Sequence, residues 1–289
     1  MSFMGFKQKI KSVFRFIGTL IIIISVVFIV RKWVVESYNV STSSMETALY
    51  EGDYILVNKL LDLFPPKQND VMLFTSPLLQ DTVYNPLFLS RCIGMPGDTV
   101  RITSEGYYIN GQAFPRSPRA LNTYFVALSI KDYFLQQAKQ MKIPVRDLKN
   151  EAFGITISLT TFEEYKLREE FTEEINTRFV CRKIEPYELV IPQKDRAYRL
   201  SEYNITACRE AILRETDGTA EFRDGKLYLD GRETSFFFFH QNYYWFLSDN
   251  INEAIDSRHL GMIPENHLIG KAFFCWLSKD KQQMIKRIK

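Results

Sequence analysis

Residues 88–102 read FLSRCIGMPGDTVRI, two apolar runs separated by a turn signal. Residues 88–95 have the length of a buried strand, and the proline, glycine and aspartate at 96–98 favour a tight turn. Residues 99–102 begin the next run of strand-forming residues. This strand–turn–strand pattern predicts a mainly β fold, and it recurs along the chain.

Short apolar runs alternate with turns on both sides of this stretch. Further predicted strands lie at residues 54–57, 70–74, 107–109 and 226–229. The last two lead into Asn-Gly and Asp-Gly dipeptides, which are strong hairpin signals. Residues 126–150 and 161–178 are richer in Lys, Glu, Gln and Leu at partly helical spacing, so helical pieces of an inserted α/β lobe are predicted there.

The N-terminus carries a long uncharged stretch, FIGTLIIIISVVFIV, at residues 16–30. As a helix it spans about 22 Å, and snorkelling by Arg31 and Lys32, with the apolar residues 33–35, extends it toward the thickness of a bilayer. Four bases precede the stretch and two follow it, which predicts a cytoplasmic N-terminus and a periplasmic body. A cleaved signal peptide is the alternative. Because Arg31-Lys32-Trp33 stands where small residues would precede a cleavage site, we predict an uncleaved anchor.

The composition of the 289 residues narrows the class of protein. Hydrophobic residues make up 46% and charged residues 25%, which excludes a disordered chain. The net charge of +3 comes from residues 1–32, which hold six bases and no acid, so a broad nucleic-acid surface is not expected. The three histidines and four cysteines lack metal-ligand spacing, so we expect no metal and no cofactor. The cysteines allow three pairings, among which the sequence does not choose.

Four short segments carry the residues that point to chemistry. They are STSSME at 41–46, GDYILVNK at 52–59, SRCIGMPGD at 90–98, and SDN at 248–250 followed by DSR at 256–258. Each one alone is common turn or surface-pair chemistry. Their order behind a membrane anchor is what makes the combination specific.

Together these segments resemble type I signal peptidase, the membrane-bound serine endopeptidase that removes signal peptides from exported proteins. The resemblance runs from the anchor to about Trp276 and implies a β-rich periplasmic domain on the inner membrane, with Ser–Lys catalysis. It implies that Ser44 is the nucleophile and that Thr42, with the Ser44 backbone N–H, forms the oxyanion hole. The implied substrates are extended signal peptides with small residues before the scissile bond, bound by strand addition. The structural supports that it implies are Arg91, Asp249, Asp256 and Arg258.

Three of the departures from the family pattern lie at the expected lysine pocket. Ser90 stands where the family has its general-base lysine, Ser248 replaces a small glycine beside that lysine, and Ala254 replaces a serine that bonds its amine. A hydroxyl oxygen is too weakly basic to hold a proton near neutral pH. We therefore predict that the nucleophile Ser44 is kept, that the lysine pocket is lost, and that catalysis is impaired.

The predicted organisation follows from the anchor and the four segments. It comprises a cytoplasmic N-terminus (1–15), a transmembrane anchor (16–35), the first part of a catalytic-type β domain (36–119), an inserted lobe (120–235), and the second part of the β domain with a basic tail (236–289). The expected partners are signal peptides and the lipid bilayer.

Two alternatives stay open. In the first, the chain is an active peptidase in which another base, such as Lys59 or His240, reaches Ser44. In the second, it is a non-catalytic paralogue or scaffold that binds peptides or other extracytoplasmic proteins and modulates an active signal peptidase paralogue.

Overall fold

The computed structural model describes residues 3–76, 78, 85–103, 106–115, 120–182, 186–201, 204–251, 254–278 and 285–288, with side chains from residue 15 onward. Its helices are α1 (Phe3–Trp33), α2 (Lys131–Gln140), α3 (Thr161–Glu170), α4 (Glu173–Thr177), α5 (Ile205–Glu215) and α6 (Ser257–Leu260). Short 3₁₀ helices lie at Ser43–Met45, Leu128–Ile130 and Glu265–His267. Residues 279–284 of the predicted basic tail lie outside the described residues.

Strands are the more numerous elements, as the turn-punctuated sequence predicts. They are β1 (Val35–Asn39), β2 (Tyr54–Asn58), β3 (Val71–Thr75), β4 (Leu87–Gly94), β5 (Thr99–Ile102), β6 (Tyr107–Ile109), β7 (Gln112–Phe114), β8 (Leu121–Ala127), β9 (Arg146–Glu151), β10 (Gly154–Thr160), β11 (Phe179–Cys181), β12 (Tyr187–Val190), β13 (Ala197–Arg199), β14 (Glu221–Arg223), β15 (Lys226–Leu229), β16 (Arg232–Thr234), β17 (Phe236–Phe238), β18 (Tyr243–Leu247), β19 (Ile263–Pro264), β20 (Leu268–Leu277) and β21 (Lys286–Arg287). The mainly β fold is confirmed.

An antiparallel sheet in the order β1-β2-β20-β3-β4-β18-β19 forms the main framework, with β21 added to β20. The stretch 88–102 forms a corner of this framework, because β4 belongs to the main sheet and β5 belongs to a second sheet, β12-β5-β6-β7. Gly97 lies at the corner with φ +90°, and the Asp98 carboxylate accepts a hydrogen bond from the Met95 amide (2.9 Å). A positive φ favours glycine, so the turn chemistry of the sequence has a direct structural cause.

Helix α1 is the one element among the described residues that is long and apolar enough to cross a membrane. Its apolar part, Arg15–Trp33, has a mean hydropathy of 2.1, and none of it is buried in the protein. The Val34 amide donates to the Val30 carbonyl (2.8 Å), and β1 begins one residue later. The anchor therefore leads directly into the edge strand of the main sheet.

The predicted lobe contains a four-stranded sheet, β11-β8-β10-β9, covered by α2 and α3 over a separate apolar core. Of the predicted helical stretch 126–150, only α2 is an α-helix. Pro144 cannot continue a helix, and the residues after it form β9, which pairs with β10. Strand β12 also falls within the range predicted as the lobe, and it pairs with β5. The predicted domain boundaries stay a prediction.

Another apolar cluster packs α5 against β5, β17 and β18. The four phenylalanines at 236–239 contribute to it by alternation. Phe237 and Phe239 are buried, whereas Phe236 and Phe238 point outward. The thiols of Cys92, Cys208 and Cys275 are free and buried.

Candidate active site

The Ser44 turn follows β1 and is held in place by burial. Thr42 enters it in an extended conformation (φ −137°, ψ 160°), and Met45 is completely buried. The Met45 carbonyl accepts hydrogen bonds from the amides of Ala48 (3.0 Å) and Leu49 (2.8 Å). Thr47 lies between these residues at φ +85°, where a β-branched residue is strained by on the order of 1–3 kcal/mol. The surrounding contacts thus impose a specific backbone on this turn.

The Ser44 hydroxyl lies between two oxygen atoms. Its Oγ is 3.0 Å from Thr42 Oγ1 and donates to the Leu89 carbonyl at 3.2 Å. Ser44 is only 6% exposed. The structure therefore brings Ser44 and Thr42 together, and both of these hydrogen-bond partners of the hydroxyl are oxygen atoms. The catalytic roles that the resemblance implies stay predictions.

Ser90 follows Leu89 on β4, and its hydroxyl turns toward the segment after β18. Ser90 Oγ lies 2.9 Å from Ser248 Oγ, and both residues are buried. Ala254, the other residue predicted to line the altered lysine pocket, is buried as well. Within the described part of the chain, neither Ser90 nor Ser44 is hydrogen-bonded to a lysine or histidine nitrogen.

The charged residues predicted as supports form two pairs, of which Arg91 with Asp249 is fully buried and Arg258 with Asp256 is partly buried. Arg91 binds Asp249 through two hydrogen bonds, Nε to Oδ1 at 2.9 Å and Nη2 to Oδ2 at 2.6 Å. Arg258 binds Asp256 in the same bidentate way (2.8 and 3.0 Å). Asp256 Oδ2 also accepts the amide of Ser248 (2.9 Å), so this pair fixes the backbone beside the two hydroxyls.

The two alternative bases each contact a carboxylate elsewhere. Lys59 Nζ is 3.0 Å from Glu36 Oε2, and this hydrogen bond is the largest cause of the lowered pKa of the Glu36 carboxyl. His240 Nδ1 is 3.1 Å from Glu215 Oε2, and the histidine side chain is 77% exposed. The structure therefore does not bring either residue to the Ser44 hydroxyl.

Polar residues that surround the turn received no role from the sequence: Asn250 and Glu46 belong to the quoted segments, whereas Asp147 and Arg146 were missed. The Asn250 amide donates to the Ser44 carbonyl (2.9 Å), and its side chain donates to the Ser43 carbonyl (3.3 Å) and to Asp147 on β9 (3.1 Å). Glu46, just after the turn, lies 3.8 Å from Arg146. Partial burial is the first cause that raises the pKa of Glu46, and the nearby Asp147 carboxylate adds to it, against the opposing effect of Arg146.

A cavity of about 450 Å³ opens beside the turn. Thr42 and Leu89 line it together with apolar side chains that include Val40 and Leu73. A larger cavity of about 750 Å³ lies between α5 and residues 257–267, and none of the predicted catalytic residues lines it. No three His, Cys, Asp or Glu side chains come together as a metal site in the described ranges.

Comparison with known proteins shows which family the chain matches. The sequence model of the family described as signal peptidase, peptidase S26, matches residues 13–162 and 206–277, well over half of the chain. Signal peptidase I of Aquifex aeolicus is 26% identical over 268 residues (90% of this chain, 82% of the relative). Signal peptidase I of Buchnera aphidicola subsp. Baizongia pistaciae is 23% identical over 288 residues (95% and 80%). That of Pseudomonas aeruginosa is 22% identical over 286 residues (91% and 72%).

The segments quoted from the sequence and the framework of the main sheet therefore have a common origin with proteins that remove signal peptides. The family implies signal peptides of exported proteins as substrates. The match begins inside α1 and ends within β20, so it includes the apolar helix, the Ser44 turn and the Ser90 strand. The chain belongs to the signal peptidase family, peptidase S26.

Proposed function

We propose that this chain binds the C-terminal end of a signal peptide at the Ser44 turn and hydrolyses it slowly. The expectation of slow hydrolysis rests on the hydrogen bond between Ser90 Oγ and Ser248 Oγ (2.9 Å). Both residues are buried at the position where the family pattern places its general base. The substrate class follows from family membership.

The chemistry of Ser44 explains the expected low rate. A serine hydroxyl must pass its proton to a base as it attacks a carbonyl carbon. Here the hydroxyl donates to the Leu89 carbonyl, which is not a base at neutral pH. The loss of a positioned general base lowers a rate by about 10²–10⁴. The Ser44 N–H and the Thr42 hydroxyl would still stabilise an oxyanion, so slow hydrolysis is expected rather than none.

The proposed binding mode is supported by residues 87–90 of β4, which pair with β3 on one side and extend beyond the part of β4 that pairs with β18 on the other. Strand β18 pairs with β4 at Arg91, Cys92 and Gly94, whereas Leu89 turns its carbonyl toward Ser44. An extended peptide can add to such an edge through main-chain hydrogen bonds. The adjacent cavity of about 450 Å³ is lined by apolar side chains such as Val40 and Leu73 and by polar ones such as Asn39 and Asn85, and it offers space for the small side chains before a scissile bond.

In vitro cleavage of a signal-peptide substrate tests the proposal. The wild type is expected to cleave slowly, and the Ser44→Ala variant not at all. The combined Ser90→Lys, Ser248→Gly and Ala254→Ser variant restores the base, the space beside it and the hydroxyl that bonds it. We expect the combined variant to cleave at least about 10²-fold faster than the wild type. Adding Ser44→Ala to it provides the matched control.

Two outcomes would contradict the proposal. Rapid wild-type cleavage that depends on Ser44 and is not increased by the combined variant means that another base activates the serine. Failure of a product-like Ala-x-Ala peptide to bind the wild type means that the chain is a scaffold rather than a peptide-binding paralogue.

The membrane orientation is part of the same proposal. The bases before the apolar stretch support a cytoplasmic N-terminus, with the Ser44 turn on the periplasmic side of the inner membrane. Protease added to spheroplasts should digest the main domain and spare an N-terminal tag. A chain that binds signal peptides without cutting them quickly would act beside an active signal peptidase paralogue, so its addition should change the rate at which that paralogue processes preproteins.

A further inference from the structure

Strand β9 of the lobe carries a bulge beside the Ser44 turn. On its partner β10, Thr156 pairs with Lys149 and Ser158 pairs with Arg146, so two residues of β9 oppose the single residue between them. One of these two is Asp147, at φ +51° in the left-handed region. Bulges are frequent beside active sites because they redirect a side chain. Here the bulge directs the Asp147 carboxylate to Asn250.

The strand that carries this bulge is held firmly although it lies at the edge of its sheet. The Arg146 guanidinium binds both carboxylate oxygens of Glu163 (2.9 and 3.1 Å). Glu163 in turn accepts the Thr160 amide (2.8 Å) and completes the capping box at the start of α3. The residue before Asp147 is therefore tied to a helix terminus, and Asp147 is presented from a fixed backbone.

Asn250 connects Asp147 to the Ser44 turn through hydrogen bonds. It is completely buried, and its Nδ2 donates both to Asp147 Oδ2 (3.1 Å) and to the Ser43 carbonyl (3.3 Å). The Ser43 carbonyl and the Ser44 N–H belong to one planar peptide unit, so fixing the direction of one fixes the direction of the other. The Asn250 backbone amide holds the next carbonyl, that of Ser44 (2.9 Å).

We infer that Asp147 is a positioning residue that acts through Asn250 to orient the Ser43–Ser44 peptide and thereby the Ser44 N–H. Its effect on peptide binding and cleavage rests on the proposed function. On this inference the lobe forms part of the site, because a carboxylate that it supplies acts through Asn250, together with the Glu46 amide that also donates to the Ser43 carbonyl (2.9 Å), to orient an oxyanion donor.

Hydrogen–deuterium exchange of the full-length chain tests the positioning directly. Asp147→Gly removes the carboxylate and the left-handed strain together, whereas Asp147→Asn keeps an oxygen that can accept from Asn250. Asp230→Gly is the matched control, because Asp230 has a similar backbone (φ +48°) in a distant hairpin. We expect residues 41–50 to exchange about tenfold faster in Asp147→Gly, corresponding to the loss of about one hydrogen bond. Asp147→Asn and Asp230→Gly should match the wild type.

Kinetics on the combined Ser90→Lys, Ser248→Gly and Ala254→Ser background provide the second readout. An oxyanion donor acts in the transition state, so Asp147→Gly should lower kcat about tenfold or more while KM changes little. Asp147→Asn should restore most of the loss.

Each outcome decides one claim. Unchanged hydrogen exchange in Asp147→Gly overturns the inference, whatever the peptide data show. If Asp147→Asn raises the exchange rate as much as Asp147→Gly does, the inference is also overturned, because the effect would then come from altered packing. An unchanged kcat on an active background overturns the link to the oxyanion donor. If the wild type binds no peptide and the combined variant is inactive while exchange still responds, the proposed function fails and the positioning role stands.

Discussion

Two neighbouring links join β4 to the segment that follows β18, and they differ in kind. Arg91 and Asp249 form a buried bidentate ion pair, whereas Ser90 and Ser248 share one neutral hydrogen bond (2.9 Å). Successive residues of a strand point to opposite faces, so the two links lie on opposite sides of the sheet. The comparison indicates that a charged link and a neutral link lie side by side between the same two segments, so removing each should have a different cost.

Breaking the charged link should have the largest effect. Asp249→Ala leaves Arg91 buried without its main partner, which costs about 3–5 kcal/mol in the free energy of unfolding. Denaturant unfolding of the detergent-solubilised chain measures this loss. Glu174→Ala is the control, because it removes an exposed partner of Arg178. Equal effects of the two substitutions would contradict the structural role of the buried pair.

Breaking the neutral link should cost less. Ser90→Ala leaves the Ser248 hydroxyl buried without its partner, at a cost of about 1–3 kcal/mol. The double variant Ser90→Ala and Ser248→Ala should cost less than the sum of the single variants, because it leaves no orphaned hydroxyl. A double-mutant cycle by denaturant unfolding checks this, and simple additivity would show that the hydrogen bond contributes nothing.

The partly exposed ion pair between Lys59 and Glu36 should contribute less to stability than either of these links. Lys59→Ala removes a partly exposed ion pair with Glu36, which is worth less than about 1 kcal/mol. If Lys59 is not the base for Ser44, any slow cleavage by the wild type should be unchanged, and His240→Ala should behave in the same way. Loss of cleavage in either variant would support the alternative base instead.

The smallest expected change in stability is that caused by Glu46→Gln. The folded-state pKa of Glu46 is raised above the ordinary value of 4.5, so its ionised form is disfavoured in the folded chain. The resulting loss of stability is complete above the folded-state pKa and disappears as the pH falls below 4.5. Glu46→Gln should therefore raise the melting temperature slightly at neutral pH, and the gain should shrink on acidification. Glu169→Gln, on the exposed face of α3, is the control, and a loss of stability at neutral pH in Glu46→Gln would contradict the sign.

The local parts of the fold could be predicted from the sequence. Strands β2, β3, β4 and β5 lie within about one residue of their predicted positions, because apolar runs and turn residues are local signals. Helix α5 was not predicted. Its buried residues Ile205, Cys208, Ala211 and Ile212 nevertheless follow helical spacing, so this local signal was present in the sequence.

Some residues of the candidate site could likewise be predicted from the sequence, and others could not. Ser44 and Ser90 could be named because the order of short segments carries them. The partner of Ser90 lies 158 residues away in Ser248, and Asp147 lies 103 residues from Asn250. No local pattern links residues so far apart, and the bulge that directs Asp147 depends on pairing within the lobe.

The joint between α1 and β1 determines how far the Ser44 turn can lie from the end of the apolar helix. A single residue, Val34, separates the two elements, and its carbonyl accepts the Lys59 amide (2.9 Å) from the neighbouring strand connection. Strand β1 has five residues, so at ~3.4 Å each the turn begins about 17 Å from the helix end. For a chain anchored through α1, the peptide binding that we propose at the Ser44 turn takes place close to the end of the apolar helix, where a peptide still held in the membrane would arrive by lateral diffusion.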